Sequence, residues 1–236
     1  MMSKTFQHKL ADLPKLKQIN TENGRRYLIE GTETKYPSIT TVLGDTADKS
    51  GFFEWRKRVG EAKADQISRN AANRGTKMHN LCEQYLLNEL EGDVENDMGG
   101  ILFKNIRPTL DRLDNVRCLE SRLFSHALGV AGTVDCIAEL DDTLTVVDFK
   151  SSSKSKKKDW IEDYFLQGCF YFTAYYEMTG ELPKQIAILI AVEDGTVLEH
   201  TIDAKEIMQY TEKLKKRIRH WHYKNKMEPP KGAKSC

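Results

Sequence analysis

Cysteine pairs, long apolar runs and an excess of either charge are all missing from this chain. Its five cysteines, at 82, 118, 136, 169 and 236, include no CxxC or CxC spacing. That argues against a disulfide framework, a zinc knuckle and a cysteine-held cluster. The longest purely apolar stretch, Ile186 to Val192, is far short of the ~20 residues a membrane span needs. Lys and Arg total 36 against 35 Asp and Glu, a formal net charge of +1, so any attraction to nucleic acid must be local. Met1 to Lys17 carries lysines but neither the apolar stretch of a secretion signal nor the arginine bias of a transit peptide. These absences point to a cytoplasmic protein in a reducing compartment, with no membrane partner.

What is present suffices for a core. The 236 residues are 39% apolar and 30% charged, which excludes a disordered or low-complexity chain. One domain, or one domain with a small lobe, is expected at this length. Residues 24–37 alternate around Glu30-Gly31-Thr32 and read as a hairpin ending at Pro37. Ser38 to Leu43 and Phe52 to Arg56 read as short helical pieces. Residues 61–73 read as a helix that Gly75 breaks, with Thr76 capping a second helix to about Leu90. The acidic, glycine-bearing stretch 91–100 reads as a loop and 101–114 as a helix.

From 116 the period changes from 3.6 to 2. Strands are expected at about 117–125, 130–140, 143–150, 184–192 and 196–202, interrupted by an amphipathic helix over 159–179. Asp203 with Glu206 forms a capping box for a last helix to about Lys226, before a Pro-Pro tail. Helices, three strands, a helix, two strands and a helix make an α/β fold with a central mixed sheet flanked by helices. We divide the chain into an N-terminal hairpin and helical lobe (1–60), a core (61–226) and a C-terminal tail (227–236).

The most informative segment is Gly132-Thr133-Val134-Asp135 followed by Val146-Val147-Asp148-Phe149-Lys150. A two-residue turn at Asp141-Asp142 pairs Leu140 with Thr143, and counting back sets Asp135 opposite Asp148. Alternation puts Lys150 on the face of Asp148, roughly 7 Å along the strand. Like charges facing each other destabilise a sheet. A divalent cation bound by hard oxygen ligands, Mg²⁺ or Mn²⁺, would reconcile them, and the lysine could orient or deprotonate an attacking water. The triplet is weak alone: Asp/Glu-x-Lys also occurs at 33–35, 61–63 and 203–205. A three-residue turn would remove the opposition.

Further residues are compatible with the same chemistry and with plainer roles. His79 and Glu83 stand i,i+4 on one helix face, where His79 is either a metal ligand or a capped, half-buried histidine. Glu120 either reaches the same cation or faces solvent. Gln167 and Tyr171, also i,i+4, lie within an apolar helix, where the glutamine needs a phosphate, a carboxylate or a backbone carbonyl as partner. Lys150, Lys154, Lys156, Lys157 and Lys158 crowd one loop, where they either neutralise phosphates or form a solvated turn. Phe52, Phe53, Trp55, Arg56 and Arg58 either stack on single-stranded bases or anchor the N-terminal lobe.

In order, His79, Glu120, Gly132-Thr133-Val134-Asp135, Asp148-Phe149-Lys150 and Gln167-Gly168-Cys169-Phe170-Tyr171 resemble the motifs of the RecB-like branch of the PD-(D/E)XK nucleases. Tyr36 to Leu43, Trp55-Arg56-Lys57-Arg58, Arg74-Gly75-Thr76-Lys77-Met78-His79 and the serines Ser151-Ser152 after the lysine resemble its mitochondrial genome maintenance exonucleases and their phage relatives. The resemblance implies a restriction-endonuclease-like core and metal-dependent cleavage of DNA ends, with a preference for single strands. It implies that His79, Asp135, Asp148 and the Phe149 carbonyl hold the metal, with Glu120 assisting a second. It also implies that Lys150 activates water, while Gln167 and Tyr171 support the site and the phosphate. Ser151, Lys154, Arg74, Trp55 and Arg56 are the expected nucleic-acid contacts.

The expectation is thus an Mg²⁺- or Mn²⁺-dependent DNA exonuclease of phage or bacterial origin, acting in the host cytoplasm if phage-encoded, with replication or recombination proteins as possible partners. The alternatives are a structure-specific endonuclease and a non-catalytic single-strand-binding protein on the same fold.

Overall fold

The computed structural model describes residues 4–22 and 24–228; the Pro229-Pro230 tail lies outside them. Strands β1 (Leu16–Thr21), β2 (Gly24–Ile29) and β3 (Lys35–Pro37) form an antiparallel sheet. Three helices follow: α1 (Ile39–Thr46), α2 (Ser50–Val59) and α3 (Glu61–Leu86). Then come α4 (Met98–Leu110), β4 (Leu113–Ser125), β5 (Val130–Leu140), β6 (Thr143–Ser152), α5 (Glu162–Thr179), β7 (Gln185–Val192), β8 (Val197–Ile202) and α6 (Ala204–Lys224). The main sheet has the order β4-β5-β6-β7-β8, antiparallel except for the parallel pair β6–β7. A parallel pair needs a long crossover, and α5 supplies it.

Three expectations about the elements need correcting. Gly75 does not break the helix: α3 runs through it as one element of 26 residues, so Thr76 caps nothing. One helical glycine costs only ~1 kcal/mol relative to alanine, and here it gains a close approach, because a Cβ at Gly75 would lie 3.2 Å from Ser151 Oγ. The helix placed at 101–114 spans Met98–Leu110, capped by Asp97, whose side chain accepts from the Gly100 N–H at 2.9 Å. Finally, the hairpin at 24–37 is two-thirds of a sheet whose first strand, β1, alternates too weakly to read.

The core lies on both faces of the main sheet. Strand β7 sorts its side chains by alternation. Ile186, Ile188, Ile190 and Val192 pack with α1, α5 and α6, and Ala187, Leu189 and Ala191 pack with α3 and α4. Burial on both faces is why Ile186 to Val192 reads as an unbroken apolar run. In β5 the alternation reverses at Asp135. Val134 belongs to the α5 side and Cys136, two residues on, to the α3 side. Across the ladder from Asp135, Glu120 has φ +42°, a left-handed backbone that non-glycine residues rarely adopt.

Candidate active site

The β5–β6 hairpin turns at Asp141 and Asp142, with φ of +48° and +62°, the pattern of a two-residue hairpin turn with both central residues left-handed. It sets Leu140 opposite Thr143, and the ladder continues to Cys136 opposite Val147. The next position would bring Asp135 and Asp148 together, and there the strands part. β6 stays paired with β7 as far as Ser152 opposite Val192, while the Phe149 N–H leaves the ladder and donates to Asp135 Oδ2 at 2.8 Å. At this fork the Asp135–Asp148 opposition counted from the turn is therefore not a rung of the ladder.

Helix α3 brings His79 to this fork. Its Nδ1 lies 3.6 Å from Asp135 Oδ2, and its ring meets the Phe149 ring edge-on with centroids 6.2 Å apart. The Phe149 side chain is core, packed under the His79 ring, while its main-chain N–H reaches Asp135. Strand β4 brings Glu120. One ligand atom each from His79, Glu120 and Asp135 lie within 4.8 Å of one another, although the three residues come from α3, β4 and β5.

On β6, Lys150 Nζ donates to Asp148 Oδ1 at 2.6 Å. Asp148 is 1% exposed; its Oδ2 lies 2.5 Å from the same ammonium but accepts no hydrogen bond. Burial pushes the Asp148 carboxyl above the ordinary carboxylate range, against the pull of Lys150. Burial works to depress the Lys150 ammonium, but Asp148 and Asp135 outweigh it and hold the group above its ordinary value. Burial, followed by the charges of Asp135 and Glu83, pushes Glu120 up to about 7. Burial also lowers His79 despite Asp135, keeping the imidazole neutral. A neutral histidine, two carboxylates repelling each other and a buried carboxylate oxygen without a hydrogen bond fit a hard divalent cation.

Gln167 and Tyr171 meet behind Asp135. Gln167 Nε2 donates to Tyr171 Oη at 3.1 Å, and Tyr171 donates to the Thr133 carbonyl. The glutamine's partner is thus a tyrosine, and a backbone carbonyl ends the chain. Close packing explains the glycines of both motifs: a Cβ at Gly132 would sit 3.0 Å from Ile39 and 3.1 Å from Phe170 and Tyr171, and one at Gly168 would lie 2.5 Å from Ile186.

His79, Glu83, Glu120, Asp135, Gln167 and Tyr171 line a cleft of about 610 Å³, whereas Asp148 and Lys150 are not among its lining residues. The expected nucleic-acid contacts are not among its lining residues. Arg56 is paired with Glu61 and with Asp65 at 2.8 Å, and Trp55 packs beside Phe52. Arg74 is paired with Glu193 at 2.7 Å, Ser151 faces Gly75, and Lys154 is exposed in the loop after β6. Ser38 and Thr40 of the Tyr36 to Leu43 segment also line the cleft; sequence reasoning missed Gln18, Arg25, Tyr27 and Arg122 beside them. No local spacing marks these residues, since only the tertiary fold brings β1–β3 against β4 and β5.

A sequence model of the PD-(D/E)XK nuclease superfamily matches residues 52–236. The chain belongs to that superfamily. Its five-stranded mixed sheet flanked by helices is the restriction-endonuclease-like fold, and PD-(D/E)XK nucleases typically use a divalent metal. The chain is also similar to mitochondrial genome maintenance exonuclease 1 of Homo sapiens, with 29% identity over 205 residues, 80% of this chain and 59% of the relative. Against the Xenopus tropicalis protein the identity is 27% over 219 residues, 86% and 61% of the two chains. Against the Mus musculus protein it is 32% over 129 residues, 51% and 38%. The chain therefore spans less than two-thirds of the length of these relatives. Nuclease chemistry is the function that superfamily membership and these relatives support.

Proposed function

We propose that this chain is a divalent-cation-dependent DNA exonuclease acting on single strands with a free end. The observation that carries the reading is the convergence of His79, Glu120 and Asp135 ligand atoms within 4.8 Å, beside the Asp148–Lys150 pair. The exonuclease part rests on the relatives' names. His79, Glu120, Asp135 and Asp148 would hold the cation, Mg²⁺ or Mn²⁺, with the Phe149 main chain alongside. The cation supplies positive charge next to the scissile phosphate. Asp148 keeps the Lys150 ammonium at the fork, where it orients the attacking water and offsets charge developing on the phosphate. Asp135, fixed by the Phe149 N–H, keeps its carboxylate aimed into the cleft. The Gln167–Tyr171 pair braces β5 from behind.

The test uses end-labelled linear single-stranded DNA, its duplex and a closed single-stranded circle, each with Mg²⁺, Mn²⁺ or EDTA. The expected result is metal-dependent loss of the linear strand with the circle intact. Cleavage of the circle would replace this reading with an endonuclease. Metal-independent retention of the strand without cleavage would replace it with a binding protein. Thermal unfolding adds a readout of the ion itself: at a hundredfold excess over its Kd a cation adds ~2.7 kcal/mol. We expect the parent's midpoint to rise with Mn²⁺ and the His79→Ala midpoint to rise much less.

A further inference from the structure

We propose that Arg122 and Arg25 form a phosphate-binding row that holds the nucleotide next to the scissile one. The assignment rests on the nuclease reading above and goes beyond it, to residues that carry no part of the metal site. Both arginines line the cleft that contains Glu120 and Asp135, and the geometry between them is well defined. Arg122 pairs with Thr133 across the β4–β5 ladder. Thr133 Oγ1 lies 3.1 Å from Tyr27 Oη, and Tyr27 is two residues along β2 from Arg25. The Arg122–Thr133 rung is two residues from the Glu120–Asp135 position, roughly 7 Å of strand. A nucleic-acid backbone covers such a distance in about one nucleotide, so a strand with one phosphate at the carboxylates brings the next to the arginines.

The charges of these two side chains are unspent. Arg56, Arg74, Arg112, Arg117 and Arg217 each pair with a carboxylate. Among the described residues Arg122 instead makes one side-chain hydrogen bond, from Nη1 to the Leu16 carbonyl at 2.7 Å, which fixes the side chain without neutralising it. Among the described residues Arg25 has neither an ion pair nor a side-chain hydrogen bond. Arginine presents a planar fork of donors suited to phosphate oxygens. The cleft also carries Glu83, Glu120 and Asp135, yet neither guanidinium folds back onto them. Arg122 further borders an adjoining cleft of about 550 Å³ lined by Asp12, Leu13, Lys15 and Glu30, so it stands where the two clefts meet and a strand can continue past it.

The experiment measures fluorescence-anisotropy binding of a labelled single-stranded oligonucleotide in EDTA across a salt series, for the parent, Arg25→Ala, Arg122→Ala and Arg122→Lys. Each phosphate contact on a single strand contributes about 0.7 to the slope of log K against log salt. We expect each alanine variant to bind more weakly and to lose about that much slope, with Arg122→Lys recovering the slope because the charge is restored. The matching cleavage assay should show KM raised more than kcat lowered. Arg25→Ala keeps the test sound if Arg122→Ala unfolds, since among the described residues the Arg25 side chain makes no hydrogen bond or ion pair. Normal cleavage by the parent with slope and KM unchanged in both alanine variants overturns the arginine row alone. Failure of the parent to bind or cleave DNA overturns the nuclease reading and the row together.

Discussion

Phe149 gives its backbone N–H to the Asp135 carboxylate, at 2.8 Å, rather than to the neighbouring strand. This bond falls one position beyond the last rung of the β5–β6 ladder, Cys136 opposite Val147. It satisfies a buried donor that the parting strands leave behind and ties the chemistry-bearing carboxylate to the backbone of the DxK triplet. Charge and structure can be separated here. Asp135→Asn keeps an oxygen to accept from Phe149 but loses the charge, whereas Asp135→Ala removes both. Both should lose cleavage by at least ~10²-fold, on the scale of deleting one electrostatic catalytic group. In urea unfolding Asn should stay close to the parent, while Ala should fall ~1–3 kcal/mol below it, the cost of a buried donor without a partner. Equal stability of the two variants would show that the bond does not hold the fork.

The Asp148–Lys150 pair carries a stability cost as well as chemistry. Asp148 is 1% exposed and, among the described residues, pairs with no cation besides Lys150. Removing one member of a buried pair costs about 3–5 kcal/mol, because the other remains charged and desolvated. Lys150→Met should therefore lose that much stability along with activity, and Lys150→Met combined with Asp148→Asn should recover most of the stability and none of the activity. The pH dependence has a definite sign. With its lysine gone, the folded carboxyl pKa rises further above the unfolded value, so the single variant's deficit is largest at neutral pH and shrinks as the pH falls and the group protonates. Chemical denaturation at several pH values reads this directly. A deficit independent of pH would assign the loss to packing instead.

Legibility in the sequence followed the range of the interactions. The β5–β6 register was readable because two residues, Asp141 and Asp142, set the count from the turn, and the buried strand β7 because its apolar run has no other place in a fold of this size. The parting of the strands was not, because it depends on β6 pairing preferentially with β7. Gly75 reads as a helix breaker in isolation, since local rules cannot show that Ser151 lies where a Cβ would point. Arg56 and Trp55 read as nucleic-acid contacts or as anchors of the N-terminal lobe, and no local rule shows that Glu61 and Asp65 pair with that arginine. Arg25 and Arg122 are separated by most of the N-terminal half of the chain, and tertiary contacts such as Tyr27 with Thr133 and Arg122 with the Leu16 carbonyl bring them to one cleft.

His222 offers a pH-dependent prediction remote from the catalytic fork. It is buried at the end of α6 against Trp221, with ring centroids 5.2 Å apart, and neither ring nitrogen has a hydrogen-bond partner among the described residues. Burial, followed by the charge of Arg26, lowers its pKa, so the folded protein holds the ring neutral. The unfolded chain takes up a proton at about pH 6.5 and the folded chain only at lower pH. The unfolded state therefore binds more protons between those values, and stability rises with pH across the window. Above about pH 7 the group adds no pH dependence; below about 6.5 it removes up to ~1.4 kcal/mol per pH unit until the folded ring titrates. His222→Phe takes away the proton site while keeping an aromatic ring beside Trp221. Unfolding free energies measured from pH 5 to 8 should show the difference between variant and parent constant at the upper end and moving in the variant's favour toward acid. A constant difference over the whole range would mean that the buried ring is protonated in the folded protein too.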